Sequence, residues 1–287
     1  MSQSTRDIKG IAKLLDTAAR EGRTVPQISL ELPDLTVEEA YRIQRASIAR
    51  RIRRGARLVG MKMGLTSLAK MEQMGVHAPI YGHLTSDMIL EDGGTFAHGA
   101  LGHPRVEPEV AFVLGADLHG PVTPAQALLA VDGVCAALEV INSRYANFRF
   151  SLPDVIADNA SSALFVLGSR VVSPADLDLG NLGMVMSING VVSQVGSSAA
   201  ILDHPARSLA ALAGLLAESG EHLKAGQIVL AGGATAAVAL QPGDRVHLEV
   251  DSLGCVDLAV RMDAAPDAGA DAAPDAGADA APDAGAS

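Results

Sequence analysis

The chain has 287 residues, a formal net charge of −11, 48% hydrophobic residues, no tryptophan and two cysteines. The cysteine count excludes a disulfide-built scaffold, and the acidic balance gives no electrostatic ground for a nucleic-acid partner. No apolar run is long enough for a membrane span and no signal-like segment opens the chain, so a cytoplasmic protein without a membrane partner is expected.

Residues 1–57 read as an N-terminal helical region. Ile8, Ile11, Leu14 and Leu15 place one apolar stripe on a helix over 6–21. Val25 to Leu30 reads as a loop or short extended piece. Thr36 followed by Glu39 is a capping box, in which each side chain satisfies a backbone donor at the helix start. The helix it opens continues through Tyr41, Ile48 and Ile52 to Gly55. Arg42, Arg45, Arg50, Arg51, Arg53, Arg54 and Arg57 cluster along this stretch and read as a solvated helix face.

From Leu58 short strand-like runs recur, at 58–63, 110–114, 134–141, 163–172, 228–231, 245–250 and 255–260. Met184 to Val195 reads as a hairpin about Asn189-Gly190, a pair suited to the type I′ turn. Two helices interrupt the strands. One starts at Thr123-Pro124 with a second capping box; the other runs from His204 to Glu218 and stops at Gly220. Strands that do not alternate one for one with helices argue for an α+β fold with a mostly antiparallel rolled sheet or sandwich. Cys135 and Cys255 lie in apolar runs and read as buried free thiols. The expected organisation is therefore 1–57 helical, 58–262 catalytic and 263–287 a tail. That tail is three copies of Asp-Ala-Ala-Pro-Asp-Ala-Gly-Ala plus Ser287, with no large apolar side chain to offset the entropy of ordering. It holds six aspartates and no base, so residues 1–262 carry −5.

The chemistry concentrates in three glutamates. Glu107 and Glu109 are two apart, so an extended strand projects both from one face. Glu139 ends another apolar run. Carboxylates that cannot reach solvent must be protonated, paired or cation-bound, and three converging oxygen ligands suit a hard divalent ion such as Mg²⁺ or Mn²⁺. Lys62, bracketed by Gly60 and Gly64 within a strand, either faces a ligand oxyanion or snorkels from the strand end. Arg144 could fork a substrate carboxylate or bridge to Asp154 or Asp158. Asn159 and Ser161 sit at a loop-to-strand junction that offers hydroxyl and amide donors or a plain Asx-type turn. Thr235 follows Gly232-Gly233, which reads as backbone lining a site, since the phosphate-loop lysine is missing. The histidines have no zinc spacing, and His103 is either a neighbour of the glutamates' shell or a surface residue.

Lys62-Met63-Gly64-Leu65-Thr66-Ser67, Met74 to Gly82, Ser143 to Phe148 and Gly232 to Val238, together with the Glu-x-Glu pair and Glu139, resemble the fumarylacetoacetate hydrolase superfamily, over roughly Leu35 to Val260. The likeness is to its hydratase/decarboxylase branch. It implies a mixed β-roll with an N-terminal helical lid region. It also implies metal ligation by Glu107, Glu109 and Glu139 and an active-site role for Lys62. The expected activity is metal-dependent decarboxylation of 4-oxalocrotonate (2-oxo-3-hexenedioate) to 2-hydroxypenta-2,4-dienoate in meta-cleavage aromatic catabolism. Hydration of 2-oxopent-4-enoate is the alternative, and a non-catalytic partner subunit of the hydratase is the alternative of another class. Hydratases tend to carry an acidic residue where Ile80 stands, as the proton of added water requires. On this reading Lys62 and Ser161 are catalytic, and Arg144, Asn159 and Thr235 bind substrate. A small 2-oxo dicarboxylate, a homo-oligomer and a complex with the sister hydratase are the implied partners.

Overall fold

The computed structural model describes residues 6–67, 71 and 78–262; the repeat tail and the first four residues of the Met74 to Gly82 motif lie outside the described residues. Helices α1 (Ile8–Arg20), α2 (Ile28–Glu31) and α3 (Val37–Arg53) come first. The capping box at Thr36 and Glu39 forms as the sequence predicts, and α2 replaces the extended piece expected near Val25. The strands that follow are β1 (Leu58–Gly64), β2 (Ile80–Thr85), β3 (Ile89–Leu90), β4 (Gly94–Ala97) and β5 (Arg105–Leu114). Next come α4 (Pro124–Leu128), β6 (Val131–Ile141), α5 (Leu152–Ala157), β7 (Ser162–Leu167), β8 (Gly183–Ile188) and β9 (Val191–Ser197). The remainder is α6 (Pro205–Glu218), β10 (Ile228–Leu230), β11 (Val238–Ala239), β12 (Arg245–Val250) and β13 (Gly254–Arg261). Asn189 and Gly190 both take positive φ, 54° and 78°, so the β8–β9 connection is the tight turn their identities require.

Among the described residues the strands form two sheets. One has the order β2-β1-β10-β5-β6-β7-β3 with β11 also on β5; the other has the order β4-β13-β12-β8-β9. The alternation of buried and exposed residues along β12 shows a sheet with one face in the core and one in water. β5 and β6 are buried along nearly their whole length, because both of their faces are covered. The main core is aliphatic, built around Phe112, Leu114, Leu138, Leu209, Leu212, Val246 and Leu248.

The N-terminal helices form a second core with Tyr145, Val155 and Ile156 of the α5 region. Gln44 of α3 ties it to the sheet, its Nε2 donating to the carbonyls of Tyr81 (3.0 Å) and Ile156 (2.8 Å). With Nε2 so committed, Gln44 Oε1 accepts, and His83 Nδ1 donates to it at 3.0 Å. Arg50 and Arg54 both reach the buried Asp16 of α1, and Arg51 reaches Asp87 at 3.3 Å. The arginine cluster is thus in part the clamp between α1 and α3, and the reading as a purely solvated face is corrected. A buried carboxylate at Asp16 needed that charge. Cys135 is buried as expected, and burial pushes its thiol up to about 11; Cys255 is exposed, on the outward side of β13.

Candidate metal and substrate site

β5 and β6 pair antiparallel with Glu107 directly opposite Glu139. The period-two rule puts Glu109 on the same face as Glu107, so one patch of sheet carries all three carboxylates. Their oxygens lie within 4.8 Å of one another, and Glu109 and Glu139 are fully buried. The strand that carries the pair starts at Arg105 and runs straight through Pro108, five residues earlier than the apolar run at Val110 suggested. Proline is tolerated there because the neighbouring β10 and β11 are interrupted alongside it, where Ala234 N–H donates to the Pro108 carbonyl at 3.0 Å.

The interruption also builds the site. Gly232 N–H donates to Glu109 Oε2 at 2.7 Å, and Gly232 holds φ at 113°, a backbone region open to glycine. A Cβ on Gly233 would stand 2.8 Å from the Glu107 carboxyl carbon. The Gly-Gly pair therefore serves close approach of backbone to carboxylate.

The sheet curls until β2 meets the segment before β7: His83 N–H donates to Asn159 Oδ1 at 2.8 Å, and Asn159 Nδ2 donates back to the His83 carbonyl at 2.9 Å. That roll carries Lys62 of β1 over the carboxylates. Its Nζ is 3.0 Å from Glu139 Oε2 and donates to the Ala160 carbonyl at 3.3 Å. Asn159, Ala160 and Ser161 hold φ of 53°, 51° and 60°, three successive non-glycine residues in the left-handed region. Each such residue costs about 1–3 kcal/mol. The strained turn is held by the Asn159 pair with His83 and by Ser161 donating its N–H to the Asp158 carbonyl at 3.0 Å. Its yield is a carbonyl aimed at Lys62 and a Ser161 hydroxyl that is buried with no hydrogen-bond partner among the described residues.

Burial raises Glu109 well above the usual carboxylate range, helped by Glu139 and opposed by Lys62. Burial raises Glu139 as well, and Lys62 opposes it. Burial disfavours the Lys62 ammonium, yet Glu139, Glu109 and Glu107 outweigh it and hold the lysine above its ordinary value. Burial weakens the screening between these charges. Among the described residues Glu109 Oε1 is buried without a partner. Three carboxylates whose oxygens lie within 4.8 Å of one another, one of those oxygens unmet, fit a hard divalent cation.

A cavity of about 560 Å³ opens on this patch. Lys62, Glu107 and Ser161 line it, with Leu65, Ile80, Phe150 and Val155 as apolar walls. Gln27 is the residue of the N-terminal region that reaches it. Arg105 and Arg149 also line it and escaped the sequence reading, although Arg105 continues the alternation of Glu107 and Glu109 on β5. Arg105 is stacked on Phe148, its guanidinium carbon 4.2 Å from the ring centre. His103 packs against the same ring at 4.9 Å.

Three residues expected to bind substrate stand elsewhere. The Arg144 guanidinium is spent on the Asp158 carboxylate and on the carbonyls of Asp158 and Ser162, away from the cavity. This is the bridge to Asp158 that the sequence offered beside the substrate role: a buried Asp158 requires a charged partner, and Arg144 supplies it. Asn159 shapes the turn through both of its hydrogen bonds to His83 and does not line the cavity. Thr235 sits beyond the cavity wall formed by Ala236 and Ala237 and donates to the Ala236 carbonyl at 3.2 Å. A larger cleft of about 640 Å³ between α3 and α6 contains none of the carboxylates.

Comparison with known proteins identifies the family. Residues 63–261 match the family model for fumarylacetoacetate (FAA) hydrolase, C-terminal. A 4-oxalocrotonate decarboxylase from a Pseudomonas species is 54% identical over 252 residues, covering 88% of this chain and 97% of its own. A 2-keto-4-pentenoate hydratase from Paraburkholderia xenovorans is 39% identical, covering 85% of this chain and 91% of its own. The structure of 4-oxalocrotonate decarboxylase from Pseudomonas putida, complexed with magnesium and adipate, superimposes with a TM-score of 0.88 at 41% identity, covering 91% of this chain and 99% of that one. Among the described residues no helix is long and apolar enough to cross a membrane. With its curled sheet, its glutamate trio and these likenesses, the chain belongs to the fumarylacetoacetate hydrolase family.

Proposed function

We propose that this enzyme decarboxylates 4-oxalocrotonate, a six-carbon 2-oxo dicarboxylate, to 2-hydroxypenta-2,4-dienoate. The observation that carries the reading is the charge layout of one cavity: Lys62 and Glu107 line it, Glu109 and Glu139 converge with Glu107 from the buried side, and Arg105 and Arg149 stand on its walls. A dicarboxylate with an electron-accepting 2-oxo group matches that layout, and the related decarboxylase binds adipate, which also has six carbons and two carboxylates.

Glu107, Glu109 and Glu139 would hold the divalent cation, Mg²⁺ or Mn²⁺. When bound, it supplies Lewis-acid electron withdrawal to a 2-oxo acid. The C6 carboxylate is vinylogously β to the 2-oxo group. Cleavage of the C5–C6 bond releases CO₂, and its electron pair passes through C4 and C3 to the C2 oxygen. Lys62 is placed to donate a hydrogen bond where that charge collects, an interaction worth roughly 3–4 kcal/mol of barrier when preorganised. The Ser161 hydroxyl, without a partner among the described residues, lines the same cavity and orients a substrate oxygen. Arg105 and Arg149 bind carboxylate, and Arg105 is kept in place by Phe148. Leu65, Ile80, Phe150 and Val155 exclude water, which protects the dienolate from hydration. An apolar Ile80 offers no group to manage the proton of an added water, which favours decarboxylation over the hydratase alternative. Cytoplasmic location, a homo-oligomer and a complex with the sister hydratase complete the reading, the last because the product is that enzyme's substrate.

The test is CO₂ release from 4-oxalocrotonate with and without Mg²⁺, for the wild type and Glu109→Gln. Release that requires Mg²⁺ and falls below detection in the variant is expected. Rapid hydration of 2-hydroxypentadienoate with no CO₂ from 4-oxalocrotonate overturns the proposal in favour of the hydratase.

A further inference from the structure

Beyond the far end of β5 lies a second group of metal-ligating side chains, outside the cavity. After β5 the chain continues through Asp117, Leu118 and His119, and before β10 it passes His222, Leu223 and Lys224. Leu118 and Leu223 form an antiparallel bridge: Leu118 N–H donates to the Leu223 carbonyl at 2.9 Å, and Leu223 N–H returns the bond at 3.2 Å. Both leucines are buried. In this register His119 faces His222 across the ribbon, and Asp117 lies two residues from His119 on the same side. With the leucines turned into the core, the three polar side chains share the outer face.

The side chains converge. The two imidazoles stack with ring centres 4.0 Å apart and an 18° angle between planes. His222 Nε2 is 3.7 Å from Asp117 Oδ2. One ligand atom from each of the three residues lies within 4.8 Å of the others. Tetrahedral coordination at 2.0–2.1 Å brings ligand nitrogens to about 3.4 Å, so the two rings, now stacked, turn about their side-chain bonds to aim their in-plane lone pairs at one ion. The scaffold is held firmly. Ala225 N–H donates to Asp117 Oδ1 at 2.8 Å and orients the carboxylate, leaving Oδ2 toward the histidines. Gly120, next to His119, lies so close to α6 that a Cβ there would stand 2.1 Å from the Ala213 carbonyl oxygen.

We infer that Asp117, His119 and His222 form a surface site for a borderline divalent cation, best matched by Zn²⁺ with water as the fourth ligand. Two imidazoles and one carboxylate suit Zn²⁺, Cu²⁺ or Ni²⁺, whereas the all-carboxylate trio suits Mg²⁺ and Mn²⁺, so the two sites separate by metal class. The ion joins the segment after β5 to the segment before β10, the strands flanking the Glu109–Gly232 contact. A ligand bound by the folded chain alone raises its melting temperature by mass action. Lys224, opposite Asp117 in the ribbon, is the nearby cation that Zn²⁺ competes with for the carboxylate.

The test uses the full chain saturated with Mg²⁺. Calorimetric titration with Zn²⁺ is expected to show one ion taken up per chain, with a rise in melting temperature. His119→Gln and His222→Gln each remove a direct ligand, so each is expected to weaken uptake by at least about 100-fold, the upper range for losing a residue that only hydrogen-bonds a ligand. With Cu²⁺ as probe, electron paramagnetic resonance is expected to show nitrogen coupling that disappears in the double variant. Metal-dependent turnover on the carboxylate trio stays unchanged in these variants. Three results overturn the inference: no Zn²⁺ uptake by the Mg²⁺-saturated wild type; uptake and nitrogen coupling unchanged in the double variant; or uptake lost in Glu109→Gln but kept in the double variant.

Discussion

Two buried charge clusters lie on either side of the strained turn at Asn159–Ser161, and they differ in one respect. Arg144 and Asp158 form a closed pair: the guanidinium meets the carboxylate and two carbonyls, and the Arg144 N–H donates to Asp158 Oδ2 at 2.9 Å. Lys62 and the three glutamates form an open one: Lys62 meets Glu139, and among the described residues Glu109 Oε1 has no partner. Both are largely buried, so burial alone does not distinguish scaffold from site. The partnering does. A pair whose oxygens are all met holds its loop in place, and a buried carboxylate oxygen left unmet beside a cavity suits a cation.

That contrast can be broken from either side. Arg144→Leu leaves the Asp158 charge buried and alone, and should cost about 3–5 kcal/mol of stability. The fall in melting temperature should be unchanged by added Mg²⁺; recovery with Mg²⁺ would erase the distinction between closed and open clusters. Lys62→Met removes the ammonium from the open cluster, where a divalent ion can supply the lost positive charge. Turnover is expected to drop roughly 10²–10³-fold, while stability measured in Mg²⁺ stays near that of the wild type. A large Mg²⁺-independent loss of stability would instead make Lys62 a scaffold residue like Arg144.

The smallest effect concerns His83, which pins the turn between the clusters. Burial pushes its imidazole down to about 4. A depressed folded pKa means the unfolded chain takes the proton first. Its stabilisation is therefore complete above the ordinary value near 6.5, and is lost as pH falls from there toward 4. The total for this group is about 3 kcal/mol. Urea titrations from pH 7 to 4 should show that slope, and His83→Gln should flatten it; an unchanged slope would assign the acid sensitivity elsewhere.

Local signals in the sequence were strong where a short stretch decides its own conformation. Thr36 with Glu39, Thr123-Pro124 with Gln126, and Asn189-Gly190 each appear in the structure as read, because a cap or tight turn is satisfied within four residues. The spacing of Glu107 and Glu109 on one strand face was legible for the same reason. Strands β2, β3 and β4 and helix α5 were missed. β3 and β4 have two and four residues, and β2 is buried along its whole length, so contacts with distant elements rather than a local pattern define them. Arg144 was ambiguous because a cation beside a strand end looks the same whether its partner is a ligand or Asp158. Arg105 could have been found by extending the alternation of the glutamates two residues back.

The sequence by itself determined which chemistry the chain could afford: oxygen ligands for a hard cation, a lysine flanked by glycines, and an aliphatic frame for both. Only the tertiary structure decided which of these groups meet. Register puts Glu139 opposite Glu107, and the curl of the sheet brings Lys62 to within 3.0 Å of Glu139. The Asp158 partnership withdraws Arg144 from the cavity that Arg105 and Arg149 line. The reason is physical. Residue type and spacing set the preferences of a single strand or turn, but the energy of a buried charge depends on what lies across the sheet, and that is decided by packing over the whole chain.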